Sequence, residues 1–299
     1  MADEVTVDEA LAEVAAGRWD TAEAVARRAS VARPESQLAR ALASYLGGLS
    51  SPGVYDEPSA FETFIDNGGN VALYRHTIKH VSTIHTEVQP RAVLDIGCGD
   101  GRVTAGALTA STSRIDLVEP SGELLAKATD ALARPGLDVV AHKMDLASFL
   151  GGRDDDTTWD IAQSTFALHT TDPAQRPALF RSLARRAKRL VIVEFDLPRF
   201  VDRSPDHVAY LADRYEEGVR QYERHPEVVA RFLMPVLVGQ LDPTRARYTF
   251  EQPIAEWARL LHDAGFTTSV RPVDPYWWAD AMLISAISRN AVDSNNDQY

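Results

Sequence analysis

From about residue 90 onward the sequence predicts an α/β fold, and three observations carry the prediction. Val93, Leu94 and Ile96 form a short apolar run of the kind that makes a buried parallel strand. Glycines follow at alternate positions, Gly97, Gly99 and Gly101, and then a helical stretch from Val103 to Ala110. Strand, glycine turn and helix open a nucleotide-binding βαβ unit. Beyond it, short apolar runs alternate with amphipathic stretches, and the runs total seven candidate strands.

The bulk properties narrow the class. A chain of 299 residues holds one large α/β domain plus additions. Hydrophobic content of 45% and charged content of 25% are those of a globular protein. The net charge of −12 argues against a broad phosphate-binding surface, and hence against a nucleic-acid partner. No apolar run approaches the ~18 residues of a membrane span. The Met-Ala-Asp-Glu-Val start lacks the pattern of a signal peptide, and the single cysteine, Cys98, allows no intrachain disulfide. These features place the expectation in the cytoplasm. Between two loop glycines, Cys98 reads as a small filler rather than a reactive thiol.

Residues 8–47 read as an N-terminal helical extension. Apolar side chains share a face at Leu11, Val14 and Ala15, then at Trp19, Ala22, Val25 and Ala26, then at Leu38, Ala41, Leu42 and Tyr45. Gly17 to Ser30 resembles part of a tetratricopeptide hairpin, but one repeat cannot bury its own face. A helical cap on the main domain, or a homodimer contact, is the preferred reading. Ser50 to Asp56, crowded with Ser, Pro and Gly, reads as a linker. Asn70 can cap the next helix, which places Val71, Tyr74, Ile78, Val81 and Val88 near one stripe and ends before Pro90. His76, His80 and His85 on that helix read as solvated, because no third metal ligand is apparent nearby.

The glycine spacing separates two ligands. A dinucleotide fingerprint is G-x-G-x-x-G/A with pyrophosphate at the helix N-terminus. Here the pattern is G-x-G-x-G, Arg102 stands where the third small residue belongs, and Asp95 precedes the first glycine by two. A carboxylate there suits a cationic ligand. Val93 to Gly101 resembles the first motif of the class I S-adenosylmethionine (SAM) methyltransferases of small-molecule type. The resemblance runs from about residue 90 to 289. It implies a Rossmann-like seven-stranded sheet in the order 3-2-1-4-5-7-6, with strand 7 antiparallel, and SAM as cofactor.

The later elements are read in that light. Ile115 to Val118 is the second strand, and Glu119 at its end is placed to bond ribose hydroxyls. Ser121 can cap the helix after it. Leu137 to Ala141 is the third strand. By the resemblance, Asp145 bonds the adenine amine, with Met144 against the ring and Leu146 as an alternative apolar contact. Asp145 can equally cap the short helix Leu146 to Leu150. Trp159 to Ser164 is the fourth strand, leading to His169, which could act as a general base, orient substrate or bond the backbone. Arg189 to Phe195 is the fifth strand. Glu194 and Asp196 near its carboxyl end could hold a cationic acceptor or act as base. Tyr74, Phe61, Phe64 and Arg75 are lid candidates by the resemblance.

Residues 199–249 read as a helical cap insertion, with helices over Asp206 to Glu223 and Glu227 to Leu237. Pro253 to Ala264 is a helix ended by Gly265. Phe266 to Pro272 and Trp278 to Ser288 close an antiparallel hairpin, and residues 290–299 read as a tail. The implied activity is methyl transfer from SAM to O, N or C of a small-molecule, specialised-metabolite acceptor, with His169, Glu194 and Tyr74 as candidate catalytic residues. The cofactor would rest on Asp95, Gly97, Gly99, Gly101, Glu119, Met144, Asp145 and Leu146, and no metal is expected. An NAD-dependent oxidoreductase and a non-catalytic SAM-binding protein are the alternatives.

Overall fold

The computed structural model describes residues 5–48, 58–152, 157–245, 247 and 249–290. The linker expected at Ser50 to Asp56 and all but the first residue of the tail lie outside them. In chain order the elements are α1 (Val7–Ala15), α2 (Trp19–Ala32), α3 (Gln37–Gly47), α4 (Pro58–Ile65), α5 (Asn70–Val88), β1 (Ala92–Ile96), α6 (Arg102–Ala107), β2 (Arg114–Val118), α7 (Gly122–Leu132), β3 (Asp138–His142) and α8 (Leu146–Gly151). Then come β4 (Trp159–Thr165), a 3-10 turn (Leu168–Thr170), α9 (Arg176–Arg186), β5 (Ala187–Phe195), α10 (Pro205–Gln221), α11 (Pro226–Val228), a π-helical turn (Val229–Leu233), α12 (Met234–Leu241), α13 (Ile254–Asp263), β6 (Phe266–Asp274) and β7 (Ala281–Ser288).

The chain forms two compact units. One comprises residues 1–71 and 199–248, so the N-terminal helices and the insertion share a unit. Within it α1 packs on α2, α2 on α3, and α1 and α3 also on α10. That is where the lone helical hairpin buries its apolar face. Ser36 caps α3 by accepting from the Ala39 N–H at 3.1 Å. Its hydroxyl donates to Glu216 on α10 at 2.7 Å, tying the extension to the insertion. Tyr222 is fully buried, and its hydroxyl lies 3.0 Å from both the Phe64 and Asn67 carbonyl oxygens. The Asn70 amide donates to that hydroxyl at 2.7 Å and to the Phe64 carbonyl at 2.8 Å. Asn70 is thus the first residue of α5, where the sequence suggested its cap. Phe64, a lid candidate, instead packs its ring on Tyr222 and Phe232. The Phe61 side chain lies outside the described residues.

The expected helix over Glu227 to Leu237 is broken into three segments. Pro235 has no N–H for the ladder, and the π turn just before it absorbs the mismatch.

The second unit, residues 72–198 and 249–299, contains the sheet, in the order β3-β2-β1-β4-β5-β7-β6. The first five strands run parallel, while β7 is antiparallel to both β5 and β6. Alternating side chains feed two faces. Leu94, Ile96, Ala162, Leu190, Ile192 and Ile284 meet α8, α9 and α13 on one. Ile161, Val191, Val193 and Leu283 meet α5 and α6 on the other, where Val93, Ile115 and Leu117 meet α7. Such parallel strands need both faces covered, which explains their continuous apolar runs.

Three expectations need correction here. β7 begins at Ala281 rather than Trp278, since Trp277 and Trp278 pack edge to face in the connection. α6 ends at Ala107 because Leu108 turns extended. The histidines of α5 are not all solvated: His85 is fully buried, and His76 pairs with Asp274 at 2.6 Å. No helix among the described residues is long and apolar enough to cross a membrane.

Candidate active site

The glycine loop folds over the carboxyl end of β2, with the Val118 carbonyl accepting from the Gly97 N–H at 2.7 Å. Gly97 has φ of 65°, and a Cβ there would sit 2.3 Å from the Ala167 Cβ. Gly101 has φ of 78°, and a Cβ there would lie 2.9 Å from Ala128 on α7. Both positions therefore demand glycine for conformation and for space. Glu119 reaches back to the loop. One carboxylate oxygen accepts the Gly99 N–H at 3.1 Å, and the other accepts the Ser121 N–H at 2.9 Å. The Ser121 hydroxyl caps α7.

A cleft of about 250 Å³ opens beside the loop. Ile96, Gly97, Val118 and Pro120 form one side, Met144, Asp145, Leu146 and Ala147 the second, and Ala167, Leu168 and the Thr170–Gln175 stretch the third. Gly97, Met144, Asp145 and Leu146 thus meet in one cleft. Asp145 also caps α8, accepting the Ser148 N–H at 2.7 Å. The lining is mostly apolar with a few polar groups, as small-molecule sites are.

Asp95 stands differently from its expected place against a cationic ligand. It is only 3% exposed and forms no part of the cleft wall. It ends a buried chain: His85 Nε2 pairs with Gln163 Oε1 at 2.8 Å, the Gln163 amide donates to Thr104 at 2.7 Å, and the Thr104 hydroxyl donates to Asp95. Burial raises the Asp95 carboxyl to about 6, although bonds from Thr104 and Gln163 favour its charge. The chain braces the strand beneath the loop. A clue lay in Gln163, a polar residue mid-strand that had to find partners.

His169 and Glu194 do meet. His169 Nδ1 lies 2.9 Å from one Glu194 oxygen, and the His169 backbone N–H donates to the other at 3.1 Å. Burial disfavours a charged ring, yet the Glu194 charge and hydrogen bond outweigh it and lift His169 to about 9. The raised value favours the imidazolium form at neutral pH. Glu194 is 1% exposed with both oxygens bonded to His169, so it holds that residue in place. Asp196 accepts the Ile254 N–H at 2.8 Å, holding the start of α13.

Arg176, which the sequence did not single out, completes this cluster. It is 1% exposed and lies over the Trp257 ring at 4.2 Å. Its guanidinium donates to the carbonyls of Thr171, Phe250 and His169 and to the Gln252 side chain. The Phe250 N–H also donates to the His169 carbonyl, at 2.7 Å. Together these contacts clamp the turn that carries Ala167, Leu168, Thr170 and Thr171, the third wall of the cleft. Tyr74 stands elsewhere, edge-on to Phe166 at 5.9 Å and beneath Arg102 at 5.3 Å.

Residues 93–189 match the family model described as a methyltransferase domain. That stretch, from β1 into β5, carries a methyltransferase domain. Its residues fit the SAM cofactor, with open space beside Gly99 that a Cβ would enter, an acid at the tip of β2 and a mostly apolar cleft. An O-methyltransferase family protein from Burkholderia thailandensis superposes with a TM-score of 0.51 at 18% identity, covering 79% of this chain and 61% of that one. At that identity the likeness speaks to the fold alone. Magnesium protoporphyrin IX methyltransferase from Synechocystis PCC 6803, crystallised with SAH, gives 0.49 at 15% identity, covering 77% and 93%. A 1,6-didemethyltoxoflavin-N1-methyltransferase from Burkholderia thailandensis gives 0.47 at 20%, covering 71% and 78%. Among curated proteins none matches the sequence. Among the described residues of the methyltransferase no group of three His, Cys, Asp or Glu could hold a metal ion.

Proposed function

We propose that this methyltransferase moves the SAM methyl group to an oxygen, nitrogen or carbon of a small-molecule acceptor. The bond from Glu119 to the Gly99 N–H carries the reading, because it sets a carboxylate against the glycine loop whose Gly97 lines the cleft. When bound, SAM supplies a methyl carbon already activated by its sulfonium. Glu119 would accept from the ribose hydroxyls, and Asp145 from the adenine amine, with Met144 and Leu146 against the ring. The His169–Glu194–Arg176 cluster fixes the wall formed by Ala167 to Thr171. The residues of the cleft would serve the transfer by alignment, holding the methyl donor and the acceptor in line.

Incubation with isotopically labelled SAM and a small-molecule extract of the source cells tests the proposal. Label is expected in a small organic product, dependent on intact protein. Label confined to protein or nucleic acid would overturn the acceptor class, and no transfer to any fraction would overturn methyl transfer.

A further inference from the structure

We infer that Phe166, Phe195 and Tyr276, with Tyr74 at their edge, form the acceptor subsite and select a flat aromatic acceptor. The inference rests on the methyl-transfer reading above and adds the class of substrate. Four separate chain segments bring these rings together: α5, the ends of β4 and β5, and the connection between β6 and β7. That is the carboxyl edge of the parallel strands, where open α/β sheets bind ligands. Phe166 and Phe195 stack at 4.8 Å with 24° between planes, and Phe195 and Tyr276 at 5.5 Å with 21°. Three near-parallel rings make a platform that another flat ring can extend. Tyr74, Phe166 and Phe195 are only half-buried, unlike the aliphatic core of the same sheet.

A second observation is independent of the stacking. Phe166 has φ of 53°, a left-handed conformation that a bulky residue rarely adopts. Its N–H donates to the Val193 carbonyl at 2.9 Å, so the β4–β5 edge holds it there. Such conformations gather at ligand sites, where the surroundings enforce them. Its neighbour Ala167 lines the cofactor cleft and lies against Gly97. The platform therefore starts one residue from the wall of the SAM cleft.

A matched pair of probes tests the inference: 2-naphthol and its saturated counterpart decahydro-2-naphthol, titrated calorimetrically into SAH-loaded protein. The aromatic probe should bind roughly 2- to 10-fold more tightly, the expected worth of ring stacking beyond buried area. Phe195→Leu and Tyr276→Leu should each shrink that ratio towards one while leaving SAH affinity unchanged, which also shows that both variants fold. With SAH bound, equal binding of the two probes, binding of neither, or a ratio unchanged in both variants would overturn the aromatic subsite alone. Failure of SAH to bind wild type would overturn the methyl-transfer reading, and this inference with it.

Discussion

Replacing Glu194 with glutamine removes one charge from a buried pair without changing its shape. In the wild type both Glu194 oxygens serve His169, at 2.9 and 3.1 Å, and the pair raises the ring from 6.5 to about 9. At about 1.4 kcal/mol for each pKa unit, the interaction is worth roughly 3 kcal/mol. That matches the order of loss seen when a buried pair is broken. Because the folded pKa is the higher one, this stabilisation is fully present below 6.5 and is lost as pH rises through about 9. Glu194→Gln should lower the melting temperature by roughly 6–12 °C at pH 6, at about 2–4 °C per kcal/mol. The difference from wild type should shrink towards pH 10. Histidine NMR titration should move the His169 midpoint down, since burial and the Arg176 charge are then opposed only by the Glu251 charge. A variant whose melting curves track wild type across this range, or a wild-type His169 titrating near 6.5, would refute the reasoning.

Three further substitutions address the cofactor cleft and its support. Glu119→Ala should weaken SAH binding by roughly 10- to 100-fold, as expected for a charged hydrogen-bond acceptor worth about 1.5–3 kcal/mol; unchanged calorimetric affinity would count against the ribose assignment. Gly97→Ala places a methyl 2.3 Å from the Ala167 Cβ at φ of 65°, so SAH binding should be abolished or the melting temperature should fall sharply. Asp116 is fully buried and accepts from Arg114, His142 and the Trp159 indole. Burial works against its charge, yet these donors hold its carboxyl below the ordinary range, so its stabilisation is lost as pH falls through that lowered value. Asp116→Asn should cost about 1.5–3 kcal/mol at pH 7 by urea denaturation, with a smaller loss in strong acid.

The sheet was legible because its signals are local. Each parallel strand is a continuous apolar run, and glycine punctuates the turn after β1, where left-handed φ is needed. Met144, Asp145 and Leu146 could be placed for the same reason, lying a few residues past a strand end. What escaped notice was long-range pairing. Asp95 is tied into a buried chain through Thr104 and through Gln163 on the neighbouring strand, whose register with β1 no local pattern records. His85 looked solvated on a helix stripe until Gln163 supplied a partner. The protonation of His169 depends on Glu194, 25 residues away, and the hold on its carbonyl on Arg176 and Phe250. The π turn before Pro235 was foreshadowed by the proline, yet its consequence depends on how far the preceding helix runs.

Parallel calorimetric titrations of the full chain with SAH and with NAD test the central claim most directly. The geometry predicts one SAH bound per chain, weakened in Glu119→Ala, and no NAD binding. Tight NAD binding with no heat from SAH would contradict it.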